Sequence, residues 1–410
     1  MDEIGYVEVE PVQVGLFFTL MHKRHKKKPT LITSNLGFTE WGSFLKNGHL
    51  TAALMVRAGF AKAAEAAFGE RVMEESKSLH SASLLDLCKA ALQMDMRDVP
   101  SSRNEMIRAG FSTGSLPIAL GNTANKTIAA AYQQAPATWR SFAATKPAAN
   151  FKKQTAVRPS FAVPLELVPD SGGAVTHGWY EEETYDYKID TYAKQLTIPR
   201  QSIINDDIGA FAEIIPSMGR AAARGVTNLV YTTMLSGQAT FWTAARTNLI
   251  TGATTTLLAD GVGLQLALTE LRKLKDIEGN YLGLTPHCLL VPPGLERVAR
   301  ELLASSDIQR SSTDSGPTGN IFENIAQLEV EPRLSDSTYT GFSITAWWLF
   351  SPPVNASVIV GFLDGAEAPM VETFGPESDI DTLGYSFRIV FDYGVALADF
   401  RGSIRSKGAA

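Results

Sequence analysis

The sequence predicts an α+β fold, and three stretches predict it. Residues 216–236 set Met218, Ala222, Val226, Val230 and Met234 four apart, the apolar face of a long helix. Residues 150–198 alternate strand-like runs with Pro and Gly, the pattern of an extended β-hairpin rather than a compact layer. From Asp260 to Gly361 helical spacing and short apolar runs take turns, so helices and strands interleave there.

Composition narrows the function classes. Of 410 residues, 45% are hydrophobic and 20% charged, enough apolar material for a sizeable core. The net charge of −6, from 37 Lys+Arg against 43 Asp+Glu, excludes a generally basic nucleic-acid coat. No apolar run reaches the ~18 residues of a membrane span, and no signal peptide is expected. Cys88 and Cys288 stand far apart, which excludes a disulfide framework and fits two buried thiols in a reducing cytosol. Charge is uneven: residues 1–57 carry seven bases and five acids, so the balance of −8 falls on the rest, and a seam near residue 58 is expected.

The first segment opens with Asp2-Glu3. Residues Gln13 to Lys23 read as an amphipathic helix with Leu16, Phe17, Leu20 and Met21 on one face, ended by the basic run Lys23–Lys28 and by Pro29. Thr30–Thr33 reads as a short buried strand leading into Ser34-Asn35 and Phe38-Thr39-Glu40-Trp41. This stretch resembles the C-terminal part of the IstB-like transposition helper ATPases over about residues 1–57. The resemblance implies that Asp2 and Glu3 stand where an acidic pair holds Mg²⁺ and Asn35 where a γ-phosphate sensor stands. No G-x-x-x-x-G-K-[ST] loop occurs in the chain, so ATP hydrolysis is not expected and the segment reads as an inactive remnant. No cofactor is assigned.

Residues 58–98 carry helical spacing at Leu79, Leu84, Leu85, Leu87 and Leu92, and 58–114 are expected as a helical linker or arm. A helix is expected from near Asn122 through Tyr132. The ordered phrases Leu120–Lys126, Ala135–Arg140, Asp170–Gly173, Leu196–Asp207, Gly219–Arg224, Leu284–Pro293 and Phe391–Gly394 then follow. The series resembles the major capsid proteins of tailed phages, in particular the Mu-like major head subunit, over about residues 115–408. It implies the Hong Kong-97-type capsid fold: an extended loop (about 150–198), a peripheral domain with a spine helix (about 216–236), an axial domain (about 258–350) and peripheral strands (about 355–400).

The residues themselves supply the detail. Tyr180 to Tyr192 interleaves aromatics with charge, and Tyr185, Tyr187, Lys188 and Tyr192 are expected to lie on a neighbouring subunit, since tyrosine offers apolar area with a polar tip. Asp206-Asp207 is expected to cap a short helix through Phe211, and Pro216 to open the long helix, which ends at Ser236-Gly237. A helix is expected over Asp260–Gly279 and another over Glu296–Leu303, around a buried strand Cys288–Val291. Ser305–Asn320 reads as a polar loop that the resemblance turns toward a ring centre. Strands are expected at Leu328–Pro332, Ser343–Phe350, Ser357–Gly361 and from Tyr385 through Phe391, with Arg401–Ala410 disordered or bound to another subunit.

Chemistry is not expected. The six histidines form no metal-binding spacing, and no nucleophile elbow or dinucleotide fingerprint appears. The expectation is a non-enzymatic shell subunit forming hexamers and pentamers around DNA without sequence specificity. A scaffold or prohead protease is a possible partner, no membrane is, and the location is the virion, after the host cytoplasm. The alternative is an ATP-binding transposition accessory protein.

Overall fold

The computed structural model describes residues 84–408, apart from 96, 112–114, 161–166, 169, 171–172, 174, 176, 178–180, 200–207, 309–318 and 375–383. The expected first-segment helix and strand, Asp2, Glu3 and Asn35, and the cap at Asp206-Asp207 lie outside the described residues. In chain order come helices α1 (Leu84–Met94), α2 (Arg103–Phe111) and α3 (Ser115–Gln134), then strands β1 (Ala144–Ala148), β2 (Gln154–Ser160), β3 (Glu181–Tyr187) and β4 (Asp190–Pro199). Helix α4 (Ile208–Ser236), β5 (Leu249–Ile250), α5 (Val262–Lys273), β6 (Cys288–Val291), α6 (Glu296–Ala304) and β7 (Gln327–Val330) follow. Strands β8 (Trp347–Phe350), β9 (Val358–Leu363), β10 (Met370–Phe374), β11 (Gly384–Leu397) and β12 (Ser403–Ser406) complete the order. Helix and strand are mixed along one chain, the α+β class expected.

The chain divides into two compact units: residues 1–128, 195–216 and 371–389, and residues 129–194, 217–370 and 390–410. In the first, Cys88, Ala91 and Leu92 of α1 are fully buried. A Cβ on Gly110 of α2 would stand 2.7 Å from the Cys88 Cβ, so glycine sets the close approach of these helices. Asn125 of α3 reads the backbone of Val371 twice, accepting from its N–H at 2.8 Å and donating to its carbonyl at 3.3 Å.

The second unit is built on a sheet with strand order β5-β12-β8-β6-β7. Strand alternation sends Leu289, Val291, Trp347, Leu349 and Ile404 to one face, against Leu264, Ala267, Leu268 and Leu271 of α5 and Ala299, Leu302 and Leu303 of α6. Cys288, Leu290, Trp348 and Phe350 go to the other, against Val226, Val230, Tyr231 and Met234 of α4, with Trp139, Phe142 and Trp242 beside them. A second ladder pairs β1 with β9 in parallel and β9 with β11 antiparallel; β4 and β10 also pair with β11.

Several boundaries differ from expectation. Helix α3 starts at Ser115 rather than Asn122, and tolerates Gly121 inside it. Helix α4 begins at Ile208, so Pro216 lies within it rather than at its first turn. Proline there removes one backbone bond, a loss that a 29-residue helix absorbs over its many others. Helix α5 stops at Lys273, because Asp276 turns the chain by accepting from the N–H groups of Glu278 (3.0 Å) and Asn280 (2.7 Å). Asp260 still serves its start, accepting from the Val262 N–H at 3.1 Å. The expected hairpin ends at Tyr187: β2 pairs antiparallel with β3, Gln154 opposite Tyr187, whereas β4 pairs with β11.

The largest correction is the tail. Residues 403–406 are an inner strand, every residue buried, antiparallel to β8 and parallel to β5. One apolar residue, Ile404, suffices because the small polar ones are satisfied inside. Trp242 Nε1 donates to Ser403 Oγ at 2.9 Å, and Ser406 Oγ donates to the Thr255 carbonyl at 2.7 Å. Gly402 enters this strand with no room for a side chain: a Cβ would lie 1.9 Å from the Asn355 carbonyl oxygen. Gly402→Ala is therefore expected to destabilise the chain by at least ~1–3 kcal/mol, lowering Tm in calorimetry. Gly294→Ala, where a Cβ meets nothing within 4 Å, should leave Tm nearly unchanged; equal Tm values would refute the placement of β12.

Candidate assembly surface at the base of the hairpin

The β2–β3 ribbon has two faces set by strand alternation. Ala156, Arg158, Glu183, Tyr185 and Tyr187 are half-buried or buried, while Thr155, Val157, Glu182, Thr184 and Asp186 between them are exposed. The inward face carries an ion network. Arg401, 6% exposed, grips Glu183 with both terminal nitrogens, at 2.5 and 2.8 Å. Arg158 pairs with Asp399, itself 6% exposed, and Arg401 approaches the same carboxylate at 3.4 Å. Tyr185 donates to Glu183 at 3.1 Å. The ribbon's base is thus bound to the turn that precedes β12.

Electrostatics follow from that packing. The hydrogen bond from Arg401 holds the Glu183 carboxyl below its usual range. Burial, and then the charges of Asp399 and Glu183, push the Tyr185 hydroxyl up, so it stays a donor. Burial also pushes Cys88 and Cys288 up to about 12, which leaves both as inert thiols.

The four residues expected to meet a neighbour have different fates. Tyr187 is buried within its own chain: its hydroxyl donates to the Pro147 carbonyl at 2.7 Å and its ring lies over Gly361. The expectation that it needs a second subunit to bury it is corrected, because Gly361 in β9 leaves the space its ring fills. Tyr185 is turned inward to the ion network. Lys188 is exposed and paired with Asp190 at 2.7 Å. Tyr192, 40% exposed, stacks on Tyr393 at 4.3 Å between centroids. Gly394 lets the backbone of Lys188 come close to β11, since a Cβ there would stand 1.9 Å from the Lys188 carbonyl oxygen.

Sequence reasoning missed Arg158, Glu183, Asp399 and Arg401, whose partners are 218 and 241 residues apart. Alternation in β3 was the available signal, since Glu183, Tyr185 and Tyr187 share one parity. The outward face offers Val157, half-exposed, among Lys153, Thr155 and Asp186; Thr155 and Lys153 both bind Asp186, at 3.0 and 2.6 Å. A second surface is a cleft of about 480 Å³ with Arg246, Lys275, Tyr281 and Phe400 in its lining, the Lys275 ammonium 4.7 Å from the Tyr281 ring centre. Among the described residues no cluster of His, Cys, Asp and Glu could hold a metal ion, and no helix is long and apolar enough to cross a membrane.

A family model described as phage capsid protein matches residues 182–406, more than half of the chain, and this chain belongs to that family. A second model, IstB-like ATP binding protein, matches residues 1–63, a span close to the one expected. Among curated relatives, a protein of insertion sequence IS21 from Pseudomonas aeruginosa, named for ATP binding, is 28% identical over 114 residues, 27% of this chain and 37% of that one. Its counterpart from IS232 of Bacillus thuringiensis subsp. berliner is 35% identical over 57 residues, 14% and 23% of the two chains. The chain therefore spans only 23–37% of the length of these relatives. Similar solved structures include Gordonia phage Cozz (TM-score 0.44, 12% identity, 67% of this chain and 87% of that one). The capsid of Ralstonia phage GP4 gives a TM-score of 0.43 at 15% identity, over 65% and 89%.

Glu183 supplies a pH test. Its folded carboxyl titrates below the unfolded value of ~4.3, so its stabilisation is complete above that pH and disappears as pH falls through the lowered folded value. Glu183→Gln is expected to lower Tm at pH 7 and to converge on the wild type as acid is added. Arg401→Met, which leaves Glu183 without its main partner while Asp399 keeps Arg158, should lower Tm at neutral pH. Parallel pH–Tm curves for wild type and Glu183→Gln would show that the pair does not hold the ribbon.

Proposed function

We propose that this chain is a structural subunit of a phage or prophage capsid, of the Hong Kong-97 type, that self-assembles into hexamers and pentamers around DNA. The observation that carries the reading is the capsid family match across residues 182–406, which takes in β3, α4 and the whole sheet around β12. In this reading the β2–β3 ribbon is the extended loop, α4 the spine helix, and the sheet with α5 and α6 the axial domain. The work is assembly: each subunit buries ribbon surface on its neighbours, in interfaces at or above the ~1,200–2,000 Å² of an ordinary complex. The ribbon's outward face, with Val157 at its centre, replaces the inward tyrosines as the contact surface; Lys188 and Tyr192 remain on offer beside it. No catalysis is assigned. The place of action is the virion shell, reached from the host cytoplasm, with a scaffold or prohead protease as candidate helpers. The net charge of −6 favours weak, non-specific contact with enclosed DNA.

A second reading, an ATP-binding transposition accessory protein, is favoured by the IstB-like match at residues 1–63. It lacks a phosphate-binding loop anywhere in the sequence, and grip on the phosphates is what such chemistry needs. Asp2, Glu3 and Asn35 are then positions without a function.

Negative-stain electron microscopy with size-exclusion chromatography on the full chain tests the first reading: rings or shells are expected, and a monodisperse monomer at every concentration overturns it. Val157→Glu should reduce assembly with little change in Tm, whereas Tyr187→Ala should destabilise the chain by ~3–5 kcal/mol and so lower Tm. Titration with a fluorescent ATP analogue should show no saturable binding; saturable binding lost in a Asp2→Ala, Asn35→Ala double variant would favour the second reading.

A further inference from the structure

One buried cation in the second unit has no counter-charge among the described residues. Arg405 of β12 is 8% exposed and stands directly opposite Trp348 of β8, its guanidinium carbon 5.6 Å from the indole centre. Its backbone N–H donates to the Asn248 carbonyl at 2.9 Å, but among the described residues no carboxylate pairs with its side chain. The other buried or half-buried arginines nearby differ: Arg401, Arg158 and Arg333 each meet Glu183, Asp399 or Glu331. Of the Arg405 nitrogens Nε is sealed from solvent with no partner, which leaves the terminal amino groups as the edge with access.

The indole beside it has the same defect. Trp348 Nε1 is buried and unpartnered, whereas Trp242 donates to Ser403 Oγ at 2.9 Å and Trp347 to the Thr255 carbonyl at 3.1 Å. Two adjacent N–H donors, one of them charged, are therefore orphaned on one face of an otherwise satisfied sheet. Buried donors without acceptors and buried charges without partners are both costly, and native cores rarely keep them. What both lack is an acceptor carrying negative charge. Burial without a partner pulls the Arg405 side chain down to about 10, still fully protonated at neutral pH, so the missing charge is real under working conditions.

We propose that Arg405 and Trp348 form a binding site for one oxyanion, a carboxylate or phosphate group supplied from outside the described residues. Guanidinium geometry suits a two-oxygen acceptor, and the indole N–H adds a third, directional donor. The anion comes either from solution or from an Asp or Glu of a second copy, and the second source rests on the assembly reading above.

The test uses the full chain. Inorganic phosphate replaces chloride at constant ionic strength while Tm and the indole N–H resonances are followed; the Trp348 resonance is the one that Trp348→Phe deletes. For a dissolved anion, phosphate raises the wild-type Tm and moves that resonance, Arg405→Met shows neither response, and Trp348→Phe weakens phosphate affinity by about tenfold. For a carboxylate from a second copy, phosphate has no effect, particle formation raises the wild-type Tm with protein concentration, and Arg405→Met loses that rise. If Arg405→Met does not fold, the wild-type titration and Trp348→Phe decide the phosphate arm. A wild type unmoved by phosphate and by concentration, or an Arg405→Met that responds as the wild type does, overturns the site. If no particles form, the assembly reading fails, and the phosphate arm still decides the oxyanion site.

Discussion

The second unit depends on a strand that comes last and lies inside its sheet. β12 lies between β5 and β8 in the β5-β12-β8-β6-β7 sheet, and each face of that sheet carries its own core. Without it β5 and β8 have no partner between them, Ile404 leaves one core, and Ser403 no longer accepts from Trp242 in the other. These pairings join residues near 250 and 350 to residues above 400. Contacts of such sequence separation carry a large loop-closure cost and slow folding.

That inner strand is almost free of large apolar side chains, and its stability rests on the polar pairing of its serines. Ser403 is held by Trp242 and Ser357, Ser406 by the Thr255 carbonyl, and Asn248, fully buried, donates to the carbonyls of Phe241 and Phe400. Each bond is worth little net, yet each would be expensive to lose in a dry interior. Arg405 and Trp348 break this order within one residue pair, and for that reason they point to something missing rather than to tolerance. The same logic explains the turn before the strand, where Asp399, Arg401, Glu183 and Arg158 neutralise one another.

Legibility followed the range of the interaction. Helix α4, the strand Cys288–Val291 and helix α6 could be read because their signals are local: apolar spacing, flanking prolines, a stop at glycine. The start of α4 was misread because proline is a first-turn signal that a long helix can override, and the tail because small polar residues carry no local signature of burial. The tyrosines show a third kind of miss. Their type was informative and their direction was not, since Tyr187 is buried by Gly361, 174 residues further on, which a single sequence does not link to it. The ion network was invisible for the same reason.

The ribbon connects these points to function. A two-stranded hairpin alone is marginal in water, so β2 and β3 need an anchor. The anchor is charged as well as apolar, and it fixes one face only: Glu183 and Arg158 bind the pre-β12 turn and Tyr187 packs with Ile189 and Ile359, while Thr155, Val157 and Thr184 look outward. Because the anchor is the turn that leads into β12, the geometry of the ribbon and closure of the sheet are set together. A chain whose last strand has not yet entered the sheet has no fixed Asp399 and Arg401 to hold the ribbon. In the proposed capsid role, that coupling would tie presentation of the contact surface to completion of the subunit's own fold.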